Sequence, residues 1–500
     1  MKQLSKLQNG TDVRGVAVYD EKVGLEVNLD EREVEAISLG FSEWIRKKLG
    51  KDDIKISIGR DSRITGEKFI KVSEKTLLNN KVSVINCSMA TTPAMFMSTI
   101  MDGYKSDGAI MFTASHMPYI YNGMKMFTSD GCLEKNELAE ILNLAQTYYE
   151  SGFESKETAE TENKNLIDDY SMLLSNIIRK GVNSHKNYEK PLSGMKIIVD
   201  AGNGSGGFFA DKVLKNLGAN VEGSQFLEPD GMFPNHIPNP ENKEAMKSIS
   251  DAVIANKADL GIIFDTDVDR AAIVDSNGME INKNSLIAVI SRIILDEVEN
   301  ATIVTDSVTS IGLTEFISKH KGIHHRFKRG YKNVINEAKR LNEEGIESPL
   351  AIETSGHAAL KENYFLDDGA YLVSKILITV AKMHMEGKKI SELISDLNQP
   401  KESEECRFKI LEEDFKSYGI KVLKDLELFS KDVTSWSKVE PNYEGIRFNC
   451  NDDDEKGWFL LRMSLHEPLL VLNIESDING GCKVIFDKVQ KFLTKYKVSL

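Results

Sequence analysis

DGAIMFTASHMPYIYNGMKMF, residues 107–127, reads as a short buried strand that opens into a loop of reactive side chains. The apolar run 109–112 has the length and continuity of a buried strand. Thr113, Ala114, Ser115 and His116 follow, and Pro118 removes a backbone donor and turns Met117 towards extended geometry, so the strand ends there. Ser115 therefore stands at the C-terminal end of a strand, where open α/β sheets form their ligand crevices. Asn122-Gly123 is a turn signal, with Lys125 just beyond it. A hydroxyl, an imidazole and an amine so close together suit group transfer, although a Ser-His pair in a loop is more often only solvated.

Outward from this stretch the chain repeats its own plan. Upstream lie the turn-rich segment 9–15 with Arg14, a helical stretch over 31–49, a strand over 54–58, Gly59-Arg60-Asp61 with Arg63, a strand over 82–86 and a turn at Thr92-Pro93. Arg60 and Arg63 beside a strand end suit phosphate binding through their forks of donors; a surface ion cluster with Asp61 is the plainer alternative. The polar segment 150–167 reads as a linker. Strand, Gly-rich turn and helix then recur over 194–218, and strand, acidic loop and strand over 258–278. A third round starts at 301–310 and reaches Glu353-Thr354-Ser355-Gly356-His357. Each round ends a strand in a polar loop, the pattern of repeated α/β units. Beyond Pro400 the pattern changes to a smaller α+β one, with a helix over 411–423, strands and a final helix. The fold expected is α/β, with three similar α/β domains on mixed sheets and a smaller α+β C-terminal domain. The domains fall at 1–165, 166–283, 284–402 and 403–500.

Five hundred residues exceed one core. A net charge of −14 argues against nucleic-acid partners and anionic membranes. The five cysteines lie far apart without a CxxC pair, which fits a reduced, cytoplasmic setting and excludes a cysteine zinc site of ordinary spacing. No window approaches about 18 uncharged apolar residues, and the first residues lack a signal-peptide core, so no membrane association is expected.

The acidic loop is the most specific single signal. Asp265, Asp267 and Asp269 alternate after the apolar run 261–264, and three carboxylates in one loop repel unless a cation neutralises them; Mg²⁺ takes such oxygen ligands. An EF-hand is excluded, because Arg270 and Ser276 stand where it needs Gly and Glu. Gly202-Asn203-Gly204-Ser205-Gly206-Gly207 satisfies the dinucleotide pattern after a strand, yet any tight strand-to-helix turn needs such glycines. The loops Gly330-Tyr331-Lys332-Asn333 and 353–357 suit sugar hydroxyls. Arg462-Met463-Ser464-Leu465-His466 offers an Arg and a Ser for a phosphate.

Taken in order from Gly10 to Glu475, these motifs resemble the α-D-phosphohexomutase family, the phosphoglucomutase/phosphomannomutase group. GRDSR (59–63), DAGNGSG (200–206) and PDGMFPNHIPNP (229–240) add to the resemblance. It implies that Ser115 is a phosphoserine whose phosphate completes a Mg²⁺ shell with Asp265, Asp267 and Asp269. The phosphoryl group would pass to a hexose phosphate, giving a hexose 1,6-bisphosphate that returns its other phosphate, so that hexose 1-phosphate and 6-phosphate interconvert. The resemblance places Lys125, His357 and Arg14 in the proton traffic, with His116 adjacent. It places Arg270, Gly330, Tyr331, Lys332, Glu353 and Ser355 at the sugar, and Arg462, Ser464 and His466 at the phosphate that is not reacting. The sequence departs from the family at Ile352, where Gly often precedes the Glu, at Leu465-His466, where a Gly/Asn-Thr pair is usual, and at Tyr331, where several members carry His. The preferred hexose, glucose or mannose, therefore stays open, as do phosphoglucosamine mutase, a sugar-phosphate phosphatase and a sugar-phosphate-binding protein without catalysis. A dinucleotide-dependent dehydrogenase is the last alternative, because it leaves Ser115 and the aspartates unexplained. Small sugar phosphates are the expected partners, and the chain is expected to be a monomer or a homodimer.

Overall fold

A computed structural model describes residues 2–153, 158–464 and 467–500. The chain forms two compact units, Met1–Asn282 with Ser355–Glu392, and Lys283–Thr354 with Leu393–Leu500.

In the first unit the strand of the opening stretch is Gly108–Phe112, buried at every position. It lies inside an eight-stranded mixed sheet. On one side Ile54–Arg60 and Val82–Met89 continue it in parallel; on the other it pairs antiparallel with Tyr121–Thr128, Met111 opposite Lys125. That register turns Lys125 back towards the end of the strand where Ser115 emerges. The helix Glu31–Leu49 covers one face. Its first turn is closed by Glu33, which accepts from the Asp30 N–H at 2.8 Å, and its last by left-handed Gly50, whose N–H reaches the Arg46 carbonyl at 2.8 Å. Phe41, Trp44 and Ile45 of this helix join Ile56, Ile58, Ile110 and Phe112 in one buried core.

Two expectations change here. Thr92-Pro93 is not a bare turn: the helix Thr92–Met97 starts there, with proline in its first turn and Thr91 Oγ1 accepting from the Ala94 N–H at 3.2 Å. The polar segment 150–167 is not wholly a linker: Thr161–Asn163 adds a parallel strand beside Val82–Met89, and a helix starts at Leu166. Residues 154–157 of that segment lie outside the described residues.

A second sheet in this unit runs Glu280–Ile281, Ala271–Asp275, Leu260–Phe264, Ile197–Asp200. Leu260–Phe264 is parallel to Ile197–Asp200 and antiparallel to Ala271–Asp275, with Phe264 opposite Ala271. The acidic residues 265–270 are thus the loop of a hairpin. The Gly-rich turn leads into a π-helical segment, Phe209–Leu214, where an α-helix was expected. The hairpin Ala358–Leu360 and Leu366–Asp367 and the helix Gly369–Met385 complete the unit, the helix against Leu166–Val182 and Ala271–Asp275.

In the second unit Thr302–Thr305 runs parallel to Ile323–Arg326 and to Leu350–Ile352. A six-stranded sheet follows in the order Trp436–Lys438, Ile446–Cys450, Gly457–Met463, Leu469–Ser476, Glu402–Ile410, Val498–Ser499. The helix expected over 411–423 begins at Phe415 and runs to Phe429, and the final helix, Gly481–Leu493, gives way to the short strand at 498. Buried Arg447 stacks on Trp458, 3.6 Å from guanidinium carbon to ring centroid, and donates to the Ser307 and Thr309 carbonyls at 2.8 and 2.9 Å. Trp458 Nε1 donates at 2.8 Å to Glu475.

Burial pushes the Glu475 carboxyl up to about 7, against the pull of the Trp458 bond and the nearby arginines. A carboxyl raised in the folded state contributes stability that is whole below its unfolded value and lost as pH rises through 7. Glu475→Gln keeps an acceptor for Trp458 and removes the titration. The variant is expected to gain stability relative to the parent as pH rises from 5 to 8, by up to about 3 kcal/mol, seen as a widening gap in melting temperature. Calorimetric melting across that pH range checks it, and parallel curves for the two proteins would refute it.

Among the described residues no helix is long and apolar enough to cross a membrane.

Candidate active site

In the first unit the Ser115 loop and the acidic hairpin loop meet. Ser115 is buried and held at φ +49, a left-handed conformation uncommon for a non-glycine residue. Its N–H donates to Thr113 Oγ1 at 2.9 Å, and its Oγ lies 3.2 Å from Asp265 Oδ2 and 3.3 Å from His116 Nδ1. A single serine hydroxyl thus faces a carboxylate and an imidazole.

Oxygen atoms of Asp265, Asp267 and Asp269, one from each carboxylate, all lie within 4.8 Å of one another, and all three residues are buried. Asp267 Oδ1 and Asp269 Oδ1 have no hydrogen-bond partner among the described residues. Buried carboxylate oxygens left open in this way are costly, and their convergence and hard oxygen chemistry fit a divalent cation. The countercharge comes from Lys125, whose Nζ reaches Asp267 Oδ2 at 3.0 Å and also bonds Asp269, and from Arg270, within 3.2 Å of Asp265 Oδ2. Burial raises Asp265, and the neighbouring Asp269 carboxylate adds to that rise. For Asp269 burial works the same way but is outweighed by the charged Lys125 and Arg270, which hold it below the usual carboxylate range. Burial alone would discharge Lys125, yet Asp267 and Asp269 keep its ammonium charged well beyond the ordinary lysine range.

The loop's backbone is built for this convergence. Val268 has φ +66, a strained value for a β-branched residue, and its carbonyl accepts from the Gly369 N–H at 3.0 Å. The Gly-rich turn packs beneath. Ser205 donates to the Thr266 carbonyl from its N–H at 2.8 Å and its Oγ at 2.9 Å, and a Cβ on Gly204 would come 2.6 Å from that carbonyl. These glycines serve close approach to the acidic loop, which accounts for them without a dinucleotide.

His357 faces one of these carboxylates and a further one, with Nε2 3.7 Å from Asp269 Oδ1 and 3.6 Å from Asp367 Oδ2, and Nδ1 2.9 Å from Ser355 Oγ. Burial takes its pKa well below the ordinary histidine value, so the ring is neutral. His116 is pushed down to about 3 by burial and by Arg270 and Arg14. Arg14 donates to the Thr113 carbonyl at 3.2 Å and pairs with Asp12 at 2.7 Å, at the foot of the Ser115 loop.

Several neighbours escape sequence reasoning. Thr92 donates its hydroxyl to Asp267 Oδ2 and its N–H to the Asp267 carbonyl. Asn239 and Glu241, in the proline- and asparagine-rich segment after residue 229, hold Arg270 at 3.2 and 3.5 Å. The density of turn residues there was the available signal. Arg63 corrects an expectation: it does not offer a free fork to phosphate. Its buried guanidinium donates to the carbonyls of Ser115 (2.5 Å), Met117 (2.6 Å), Pro118 (3.0 Å) and Tyr121 (2.7 Å). Arg60 donates to the Asp61 carbonyl at 3.0 Å.

The remaining predicted residues lie in the second unit, apart from Ser355. Gly330 donates its N–H to Glu353 Oε1 at 2.6 Å, and Tyr331 and Lys332 open the helix Tyr331–Glu343. Arg462, buried at the end of the strand Gly457–Met463, lies 4.0 Å from Glu444; Ser464 follows, its N–H on the Leu469 carbonyl at 2.9 Å. Leu465 and His466 lie outside the described residues.

Family models for phosphoglucomutase/phosphomannomutase α/β/α domains I, II and III match residues 5–151, 173–278 and 282–400. The chain belongs to the phosphoglucomutase/phosphomannomutase family. A phosphomannomutase of Methanocaldococcus jannaschii is 31% identical over 471 residues, 92% of this chain and 95% of that protein. A phosphoglucomutase of Neisseria gonorrhoeae is 28% identical over 434 residues, 86% of each chain. The crystal structure of a phosphoglucomutase/phosphomannomutase family protein from Burkholderia thailandensis shares the fold, with a TM-score of 0.77, 24% identity and 97% and 96% of the two chains covered. The expected architecture, three α/β domains of this family with mixed sheets and a C-terminal sheet domain, is the one found.

Proposed function

We propose that this chain is a Mg²⁺-dependent phosphohexomutase that interconverts hexose 1-phosphates and 6-phosphates through a phosphorylated Ser115 and a hexose 1,6-bisphosphate. The observation that carries this reading is the Ser115 hydroxyl, 3.2 Å from Asp265, whose carboxylate clusters with Asp267 and Asp269, themselves met by Lys125 and His357. Family membership and similarity to a phosphoglucomutase and a phosphomannomutase support it.

Asp265, Asp267 and Asp269 would hold Mg²⁺, which when bound offsets the charge of the transferring phosphoryl group. The chain's own groups do the rest. Ser115 Oγ carries the phosphoryl group; its O–P bond breaks as a new one forms to the sugar hydroxyl, and the reverse transfer from the other end of the sugar restores it. The acceptor hydroxyl must lose a proton. Neutral His357 can take it at Nε2, and the charged Lys125 Nζ can donate to the oxygen that leaves. Arg14 and Arg63 fix the Ser115 loop through its carbonyls. In this reading Glu353, Ser355, Gly330, Tyr331, Lys332 and Arg270 are assigned to the sugar, and Arg462, Ser464 and His466 to the distal phosphate. The segments 1–165, 166–283, 284–402 and 403–500 then supply, in turn, phosphoserine, metal loop, sugar loop and phosphate loop. The free cysteines fit a cytoplasmic setting.

The test is ³¹P NMR with Mg²⁺, a trace of hexose bisphosphate, and glucose, mannose and glucosamine 1-phosphates in separate tubes. A 6-phosphate in at least one tube is expected and identifies the sugar. Inorganic phosphate in every tube would replace the mutase with a phosphatase. Mg²⁺ is also expected to raise the melting temperature by relieving carboxylate repulsion, and chelation to reverse it.

A further inference from the structure

In the second unit a short turn brings a carboxylate against the arginine of the phosphate loop. Gly445 has φ +56, and a Cβ there would come 2.3 Å from the Leu461 carbonyl and 2.7 Å from Arg462 Cβ, so the turn lies directly on the strand that bears Arg462. Asn442 Nδ2 pins the turn by donating to the Glu444 and Gly445 carbonyls, each at 3.0 Å. Glu444 is thereby held in place. Its Oε2 accepts from the Ser307 hydroxyl and from the Arg329 N–H, the latter at 3.1 Å, and its Oε1 lies 4.0 Å from Arg462 Nη1.

Arg462 is the unusual partner. Its side chain is 9% exposed, Glu444's is 10% exposed, and Arg462 Nε is buried with no hydrogen-bond partner among the described residues. Burial lowers the Arg462 pKa, and Glu444 is the strongest influence opposing that fall. A buried guanidinium with an open donor, neutralised by a carboxylate just beyond hydrogen-bond range, is incompletely satisfied. A tetrahedral oxyanion, with more charge and more oxygens than a carboxylate, satisfies it better.

We propose that Glu444 is a built-in competitor for the phosphate site: its carboxylate neutralises Arg462 in the substrate-free protein, and the phosphate of the sugar binds by displacing it. This rests on the reading of Arg462 as the grip on the distal phosphate. Glu444 thus sets affinity for the anion, weakening both capture and retention of sugar phosphate. Its bonds to Ser307 and the Arg329 N–H give the displaced carboxylate a place to remain.

Glu444→Gln keeps an acceptor for Ser307 and Arg329 and removes the charge; Glu444→Ala removes both. Titration calorimetry of the full chain with mannose 6-phosphate, glucose 6-phosphate and inorganic phosphate, with Mg²⁺ present, reads the effect. Both variants are expected to bind at least one of these about fivefold tighter or more, and the gain is expected to vanish when Arg462→Gln is added. Unchanged or weaker binding in either variant, or no measurable binding by parent and variants alike, overturns the proposal. Tighter inorganic phosphate binding alongside a failed NMR conversion would leave the competitor standing and remove the mutase.

Discussion

Replacing Ser115 by alanine is expected to remove hexose-phosphate interconversion, lowering kcat by about four orders of magnitude or more while the fold survives. The substitution deletes one hydroxyl. The backbone contacts of residue 115 do not depend on it: the N–H keeps Thr113 Oγ1 and the carbonyl keeps Arg63. Alanine tolerates the left-handed φ about as well as serine, so little stability is at stake. What is lost is the oxygen 3.2 Å from Asp265, the only atom of that residue able to carry a phosphoryl group between substrates. Two measurements separate this from general damage. Melting temperature should stay within a few degrees of the parent, and mass spectrometry after incubation with a hexose bisphosphate should find phosphate on the peptide bearing residue 115 in the parent and none in the variant. An alanine variant that still converts 1-phosphate to 6-phosphate would end the phosphoserine reading.

The parts of the site that share a strand end were legible in the sequence. Ser115 follows from one apolar run and one proline; Asn122-Gly123, which reads as a turn, instead lies inside the strand Tyr121–Thr128 that carries Lys125, because both neighbouring strands pair with it. Asp265, Asp267 and Asp269 stand out because three alternating carboxylates between apolar strands are hard to explain as surface. The Gly-rich turn was read correctly as strand-to-helix geometry, but its true partner, the Thr266 carbonyl, lies about sixty residues away and left no local mark. Thr92, Asn239 and Glu241 were missed for the same reason. Each is an ordinary cap or turn residue locally and meets the acidic loop only through the sheets. Val268 offered no clue, since nothing in local sequence announces a left-handed valine; the surrounding hairpin and the Gly369 N–H impose it. The α-helix expected over the π-helical segment Phe209–Leu214 shows the same limit, because one extra residue per turn is invisible to apolar periodicity.

Arg63 supplies the second large effect, and it reverses the sequence expectation most sharply. An arginine beside a strand end suggests a phosphate ligand, yet here the planar fork meets four carbonyl oxygens of the Ser115 loop and packs its edge near Asp61, 3.4 Å away. Burial lowers Arg63 to about 10 and raises Asp61 to about 6, so at neutral pH the arginine is still charged and the aspartate largely so. Phe233 lies over the guanidinium at 5.3 Å. Lysine keeps the charge but has a single tetrahedral tip with three donors, which cannot reach carbonyls at residues 115, 117, 118 and 121 together. Arg63→Lys is therefore expected to cost about 2–4 kcal/mol of stability, and, by letting Ser115 shift, to lower kcat about a hundredfold. KM for the sugar phosphate should change little, because in our reading sugar and distal phosphate are held by other loops. The rate at which a bisphosphate phosphorylates Ser115 should fall in step with kcat. A variant with a normal phosphorylation rate and a raised KM would instead make Arg63 a substrate ligand, and the clamp on the loop carbonyls would be incidental to catalysis.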